Sequence, residues 1–442
     1  MADNLHIIVG LGATGLSCAR YLKAQGIPMV MMDTRESPSN LKEFQDQYPE
    51  VPVSLGGFDQ ALLEKAACIV LSPGIALREP AIAEQVANGK QVIGDVELFA
   101  RAVKAPVISI TGTNAKSTVT TLVGEMAKAA GFNVEVGGNL GVPALDLLMQ
   151  NPDANLFILE LSSFQLETTH SLQSAVATVL NISPDHMDRY DTVGDYTQAK
   201  HRIYQHADLA VCNRDDAATD TKAKRKINFT LEQPKADEFG LITIDNTVWL
   251  AHGDQPLISI RELPIMGKHY QANALAALAI GYAFGFPLAP MLDVLRSFKG
   301  LPHRCQFVRE WNGVRWYNDS KGTNVGATQA AIEGLGSEID GKLVLIAGGV
   351  GKNADFHPLV PSLQKYVSHV VLIGEAAEEI AAAIKGKVPT SFAKTLDEAV
   401  TQCANIATPN DCVLLSPACA SFDMFKHYGH RGDVFMEIVL GR

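Results

Sequence analysis

The 442-residue sequence has no apolar stretch long enough to span a bilayer; that takes about 20 consecutive residues. No membrane insertion is therefore expected. It also has no long basic run, and its formal net charge is −11. That excludes a nonspecific nucleic-acid binder and a binder of acidic membranes. Small anions remain open as ligands, because local lysines and backbone N–H groups can hold them. The seven cysteines (Cys18, Cys68, Cys212, Cys305, Cys403, Cys412 and Cys419) form no CxxC pair and no zinc-like spacing. An odd, scattered set reads as reduced thiols. Met1-Ala2-Asp3-Asn4 lacks a basic region, so no secretory leader and a cytoplasmic location are expected. Short-period repeats and low-complexity linkers are absent. What is there is ordinary for folded protein: 47% apolar and 19% charged residues, enough for several packed cores.

The sequence repeats one rhythm of apolar strand, Gly-containing loop and helix. Residues 6–9, 28–32, 68–71 and 92–94 read as strands of a first unit. Residues 107–111, 156–161 and 177–182 belong to a second, with helices over 117–130 and 271–284. Residues 215–255 are polar and turn-rich, which predicts added β-structure or loops. Residues 314–317, 343–347, 370–373 and 412–415 read as strands of a third unit. Strands alternating with helices imply parallel sheets covered on both faces. The fold class is α/β in three domains: a Rossmann-like domain over 1–95, a central P-loop ATPase-like domain over 96–301, and a Rossmann-like domain over 302–442.

Chemistry concentrates in the loops after these strands. Gly10-Leu11-Gly12-Ala13-Thr14-Gly15 matches G-x-G-x-x-G between strand and helix, a turn that brings backbone N–H groups to a pyrophosphate. Asp33 lies near the spacing at which an acid meets a ribose or base. The motif does not separate NAD from another diphosphate. Thr111-Gly112-Thr113-Asn114-Ala115-Lys116-Ser117-Thr118 has the strand–loop–helix context of a phosphate cradle. Lys116 would neutralise β/γ-phosphates and the Ser117 hydroxyl would meet Mg²⁺; a chance βα turn is the alternative. Glu160 ends an apolar strand, where a buried acid needs a partner or a cation. A salt-bridged structural glutamate fits equally well. Asp185 and His186 share a strand-end loop, where open α/β sheets bind ligands. Lys200 lies on a predicted helix and by itself reads as a solvated lysine. The loops at 318–324, 348–352 and 416–421 would line one sheet edge of the third unit as an acceptor pocket, although each alone would also serve as a cap or turn. Cys419 has no visible thiolate-activating partner and reads as a packed thiol.

Taken together, the motifs resemble the Mur ligases of peptidoglycan synthesis. Thr111 to Thr118, Gly137-Gly138-Asn139-Leu140-Gly141, Leu159-Glu160-Leu161-Ser162-Ser163-Phe164-Gln165, Asp185-His186-Met187-Asp188-Arg189-Tyr190, Pro302-His303-Arg304 and Asn318-Asp319-Ser320-Lys321 occur in that family's order across essentially the whole chain. Gly10-Leu11-Gly12, Asp33-Thr34, Ser72-Pro73-Gly74 and Ser416-Pro417-Ala418-Cys419-Ala420-Ser421 look like its D-glutamate-adding branch. The resemblance implies that the first domain binds a UDP-linked precursor, UDP-N-acetylmuramoyl-L-alanine, and not NAD. Thr14, Asp33, Thr34, Ser72 and Gly74 would lie along the UDP, with Asn139, Ser162, Gln165 and His186 toward the reaction centre. It implies ATP on Gly112, Thr113, Asn114, Ala115, Lys116, Ser117, Thr118, Asn273, Arg304, Asp319 and Lys321. It implies Mg²⁺ on Ser117, Glu160, His186 and Lys200, with Lys200 carbamylated by CO₂ so that an anion replaces an ammonium. It places D-glutamate on Thr323, Lys352, Ser421 and Phe422, and implies catalytic roles for Lys116, His186, Lys200 and Lys321. A monomer is expected.

The sequence departs from the family pattern at Ala115, where P-loops carry Gly, and at Tyr270, Gly322, Val350 and Tyr428. None of these removes a charged group. The implied reaction forms an acyl phosphate, which an amine then attacks. Related ligases with another acceptor, an NAD-dependent oxidoreductase and a noncatalytic nucleotide sensor are the competing readings. The oxidoreductase leaves the Lys116 loop unexplained.

Overall fold

The computed structural model describes residues 4–265 and 267–442. Its first sheet holds β1 (His6–Val9), β2 (Met29–Asp33), β3 (Val53–Leu55), β4 (Cys68–Leu71) and β5 (Gln91–Ile93). All are parallel, in the order β3-β2-β1-β4-β5. The second holds β6 (Val107–Thr111), β7 (Val134–Gly138), β8 (Leu156–Glu160), β9 (Val176–Val179), β10 (Ala210–Asn213), β11 (Lys226–Phe229), β12 (Phe239–Ile244), β13 (Thr247–His252) and β14 (Gln255–Ser259). Its order is β14-β13-β12-β11-β10-β9-β6-β8-β7, antiparallel only among β12, β13 and β14. The third holds β15 (Gln306–Trp311), β16 (Val314–Asn318), β17 (Leu343–Gly348), β18 (Val367–Ile373), β19 (Thr390–Phe392) and β20 (Cys412–Leu415). Its order is β15-β16-β20-β17-β18-β19, antiparallel only at β15–β16. The α/β class read from the sequence is thus the observed one.

Strands β4, β8 and β17 are buried at every residue, as parallel strands with helices on both faces must be. This is why they stand out as apolar runs. The turn-rich stretch at 215–255 resolves into β11 and the β12–β14 meander. Strands β3, β7, β10, β15 and β19 have no counterpart in the sequence reading; most are short, half-exposed or at sheet edges. No helix among the described residues is long and apolar enough to cross a membrane.

The strand orders reverse between β1 and β4, around β6, and around β20. Ligand crevices in open α/β sheets form at such points. The loops singled out by sequence all leave strand ends there.

The apolar cores divide the molecule unevenly. One continuous cluster runs from Ile8 and Met31 of the first sheet, with Leu22 of the helix after β1, to Phe157, Leu159 and Ala177 of the second. Phe99, on the helix Asp95–Ala102 that connects the two sheets, meets Phe157 edge to face at 5.3 Å. Arg20 donates to both oxygens of Asp146 at 3.0 and 2.6 Å. Glu97 accepts the His170 and Ser171 N–H groups at 2.7 and 2.8 Å. The third sheet has its own clusters, which contain no residue of the second.

The Gly-rich turn after β1 is sterically forced. A Cβ on Gly15 would stand 2.0 Å from the Gly10 carbonyl oxygen, whereas one on Gly74 would meet nothing within 4 Å. Gly15→Ala should therefore lower stability by about 1–3 kcal/mol, the usual overpacking range. Gly74→Ala should stay within about 0.5 kcal/mol of the parent. Chemical denaturation midpoints of the two variants give the comparison.

Candidate active site

The loop after β6 turns through Ala115 at φ +68 into the helix Lys116–Ala129. That is the left-handed region, which costs a non-glycine residue about 1–2 kcal/mol. The alanine that departs from the P-loop pattern thus keeps the glycine-like backbone. Lys116 Nζ folds back onto the Gly112 and Thr113 carbonyls at 2.9 and 2.8 Å. The loop after β9 is laced to it: Asn114 N–H donates to Asn181 Oδ1 at 2.8 Å, and Ser183 N–H to Thr113 Oγ1 at 3.0 Å.

Glu160 ends β8 and is buried. Its Oε1 accepts from Asn139 Nδ2 at 2.7 Å, while Oε2 has no partner. An orphaned buried carboxylate oxygen calls for a cation. No cluster of three His, Cys, Asp or Glu ligands exists among the described residues. Mg²⁺ does not need one, since it takes one or two carboxylates and completes its shell with phosphate and water. Glu160 and the Ser117 hydroxyl fit such an ion.

Lys200 corrects its sequence reading. It lies on the helix Val193–His201 but is only 1% exposed. Its Nζ donates to the Gly112 carbonyl at 2.8 Å and sits 4.5 Å from the Tyr196 ring centre. Burial, reinforced by Lys116, drives its pKa well below the usual lysine value. Burial also lowers the pKa of Lys116 and that of His186. His186 adopts φ +56, in a turn closed by its carbonyl accepting the Arg189 and Tyr190 N–H groups at 2.9 and 3.1 Å.

The third sheet closes the site. Arg304 Nη2 donates to Ser117 Oγ at 2.8 Å. Asn324 Nδ2 reaches Asn114 Oδ1 at 3.2 Å and Asp185 Oδ2 at 3.1 Å, and Lys352 Nζ reaches Asp185 Oδ1 at 3.2 Å. Asp319, held by Ser416 Oγ at 2.7 Å and the Cys305 N–H at 3.1 Å, is pushed up to about 6 by burial. Lys321 lies 3.9 Å from the Tyr428 ring centre, and burial, with Arg304 and Lys116 nearby, lowers its pKa to about 8.

These loops enclose a cavity of about 340 Å³ lined by Gly74, Thr113, Asn114, Ala115, Lys116, Ser117, Asn139, Glu160, Ser162, His186, Lys200, Arg304, Lys321, Thr323 and Lys352. A second cavity of about 200 Å³ shares Asn114, Ala115, Arg304 and Lys321 with it and adds Thr118, Tyr270, Asn273 and Asp319.

Other predicted residues lie elsewhere. Gln165 spends its amide internally: Oε1 accepts the Ser162 N–H at 3.1 Å and Nε2 donates to Asp95 at 3.2 Å. Asp33 accepts the Leu11 N–H at 2.7 Å and a two-pronged contact from Arg35 at 2.9 and 2.7 Å, and the Arg35 contact lowers its pKa to about 2. Thr34 is exposed and Thr14 half-buried. Ser72 Oγ donates to the Gly10 carbonyl at 3.0 Å. Ser421 and Phe422 line neither cavity. Ser421 is buried and Phe422 is 73% exposed. The Cys419 thiol is raised to about 12 by burial, as a packed thiol would be. Phe164 and Tyr196 also line the larger cavity without having been singled out as site residues. Asp185 and Asn324 line it too, and both fall in loops that the sequence marked.

Three family models cover most of the chain: "Mur ligase MurD-like, N-terminal domain" at residues 4–94, "Mur ligase middle domain" at 110–281, and "Mur ligase, glutamate ligase domain" at 303–419. The chain is 53% identical over 441 residues to a UDP-N-acetylmuramoylalanine–D-glutamate ligase of Pseudomonas aeruginosa, covering 99% of this chain and 98% of that protein. It is 49% identical over 446 residues to the enzyme of the same name from Legionella pneumophila strain Lens, covering all of both. Among solved structures, UDP-N-acetylmuramate-alanine ligase from Thermotoga maritima is similar in fold, with TM-score 0.62, 16% identity and 99% of each chain covered. With a phosphate-cradling loop, an orphaned carboxylate and three sheets converging on one cleft, these matches establish that the chain belongs to the Mur ligase family.

Proposed function

We infer that the chain is an ATP-dependent ligase that joins D-glutamate to UDP-N-acetylmuramoyl-L-alanine, a step of peptidoglycan precursor synthesis. The observation that carries this reading is the single cavity in which Lys116 and Ser117, Glu160, Lys200 and His186 face Lys321, Thr323 and Lys352 of the third sheet. The activity named for relatives about half identical over their full length supports it. The division of labour follows the sequence segments: 1–95 for the UDP-linked precursor, 96–301 for ATP, and 302–442 for the amino acid.

A carboxylate resists attack by an amine because it is anionic and has no good leaving group. ATP removes both obstacles. The alanyl carboxylate oxygen bonds to the γ-phosphorus, the bond to the β-phosphate oxygen breaks, and ADP departs. The glutamate nitrogen then attacks the acyl carbon, and the tetrahedral intermediate expels phosphate. His186 or the departing phosphate takes the proton lost by the amine. Lys116, Lys321 and Arg304 supply positive charge where phosphoryl transfer concentrates negative charge. Mg²⁺ on Ser117 and Glu160 would further screen the phosphates. The smaller cavity, with Asn273, Asp319 and Thr118, suits the rest of the nucleotide. Lys352 suits a carboxylate of the acceptor, which would take over from Asp185.

Lys200 is best read as the site of a carbamate. Its lowered pKa favours the neutral amine, the form that can attack CO₂. An N–C bond forms, a proton leaves to solvent, and an anion replaces the would-be cation beside Glu160. His186 and this carbamate would complete the metal-binding side.

Phosphate release from ATP with UDP-N-acetylmuramoyl-L-alanine and Mg²⁺ should require D-glutamate and fail with L-glutamate, L-lysine, meso-diaminopimelate or D-alanyl-D-alanine. Release with another of these acceptors would move the specificity. Lys200→Ala should lose most activity and regain part of it with added short carboxylic acids; near-normal activity without them would remove the carbamate role. Lys321, with its pKa near 8, is half neutral at pH 8 in the free protein, and nearby phosphate raises that pKa. ADP binding at pH 8 should therefore take up protons, seen by calorimetry in buffers of different ionisation enthalpy, and Lys321→Met should diminish the uptake.

A further inference from the structure

Arg189 reaches from the central sheet's loop into the first unit. Its Nη1 donates to the Pro73 carbonyl at 3.1 Å and its Nη2 to the Ile75 carbonyl at 3.2 Å. Nη2 also meets Glu167 Oε2 at 3.2 Å, and the guanidinium lies 4.3 Å from the centre of the Phe164 ring. The side chain is 12% exposed. These contacts bear on two walls of the larger cavity. Pro73 and Gly74 form one wall, and Phe164 and His186 lie on another. Phe164 packs edge-on against the His186 ring at 5.0 Å, and the Arg189 backbone N–H closes the turn that presents His186.

The guanidinium suits this task. Two carbonyls, a carboxylate and an aromatic face are met at once by a planar group with several fixed donors. A lysine ammonium would keep the charge but not the fork. The two carbonyls belong to a loop whose Ser72 hydroxyl also fastens it to the Gly-rich turn at Gly10. Arg189 therefore links the turn that would hold a diphosphate to the imidazole at the reaction centre.

We propose that Arg189 is a positioning residue for the UDP-linked substrate: it sets the gap between the Ser72-Pro73-Gly74 loop and His186 across which that substrate lies. This rests on the ligase reading for the identity of the substrate. Arg189 touches no reacting atom, and it has no contact with the ATP loop. Its loss should act on the precursor alone.

The test compares Arg189→Met and Arg189→Lys with the parent, using direct titration of UDP-N-acetylmuramoyl-L-alanine, titration of ADP, and steady-state kinetics. The expected result is a precursor Kd and KM raised at least tenfold in Arg189→Met and severalfold in Arg189→Lys, with ADP Kd and ATP KM within twofold of the parent. Unchanged precursor affinity in a folded variant would overturn the proposal. So would an equal loss for ADP and precursor, which would mean general loosening of the seam. If Arg189→Met does not fold, the charge-conserving Arg189→Lys decides by the same criteria. Absence of D-glutamate-dependent phosphate release in the parent would count against the ligase reading, whereas the precursor titration would still judge Arg189.

Discussion

The site is organised around positive charge that the protein alone does not neutralise. Lys116, Lys321 and Arg304 converge on one cavity with the Lys200 amine, and burial holds each of the four below its ordinary pKa. Glu160 and Asp185 are the carboxylates that face them. Bringing cations out of water is costly unless anions accompany them. The arrangement therefore suits a polyanion, with Lys116 held in place by the Gly112 and Thr113 carbonyls. Phosphate can satisfy in one ligand what no set of side chains here does. A carbamate on Lys200 would lower the same electrostatic strain by placing an anion among the three cations.

The two seams flanking the central unit are of different kinds. Toward the first unit the apolar core is continuous, with Phe99 against Phe157, and the junction is further stitched by Arg20, Glu97 and Arg189. Toward the third unit the contacts that close the cleft are polar: Arg304 with Ser117, Asn324 with Asn114 and Asp185, and Lys352 with Asp185. Polar contacts exchange readily with water or ligand, while a shared apolar core does not. Opening the cleft on the third unit's side costs the least apolar burial, which suits the entry of three substrates and the exclusion of water during reaction.

Much of this was legible from sequence because buried parallel strands are written as apolar runs and their exit loops carry the chemistry. The P-loop, Glu160, the Asp185-His186 turn and Lys321 all fall where strand-end loops put them. The central edge strand β7, with its alternating Val134 and Glu135, carries no such run. Lys200 was opaque for a different reason. Its helix is polar in sequence, and although Tyr196 stands one turn before it, the Gly112 carbonyl that its Nζ meets lies 88 residues away. Phe422 contrasts with Lys200: it follows buried Ser421 in a motif, yet its ring is exposed. Asp33 and Gln165 show that a polar residue in a binding motif can be consumed by shaping the loop itself.

The third sheet ends with an inserted strand. β20 lies between β16 and β17, which have no pairing with each other. On a ribosome adding roughly 5–20 residues per second, these two strands must wait unjoined for some 65–70 residues after β17 is made, until β20 emerges near the end of the chain. Asp319 waits with them, since Ser416 is its buried partner. The earlier units can meanwhile fold around their common core. A nascent or prematurely terminated chain can thus possess the nucleotide loop without the half of the cleft that the third sheet supplies.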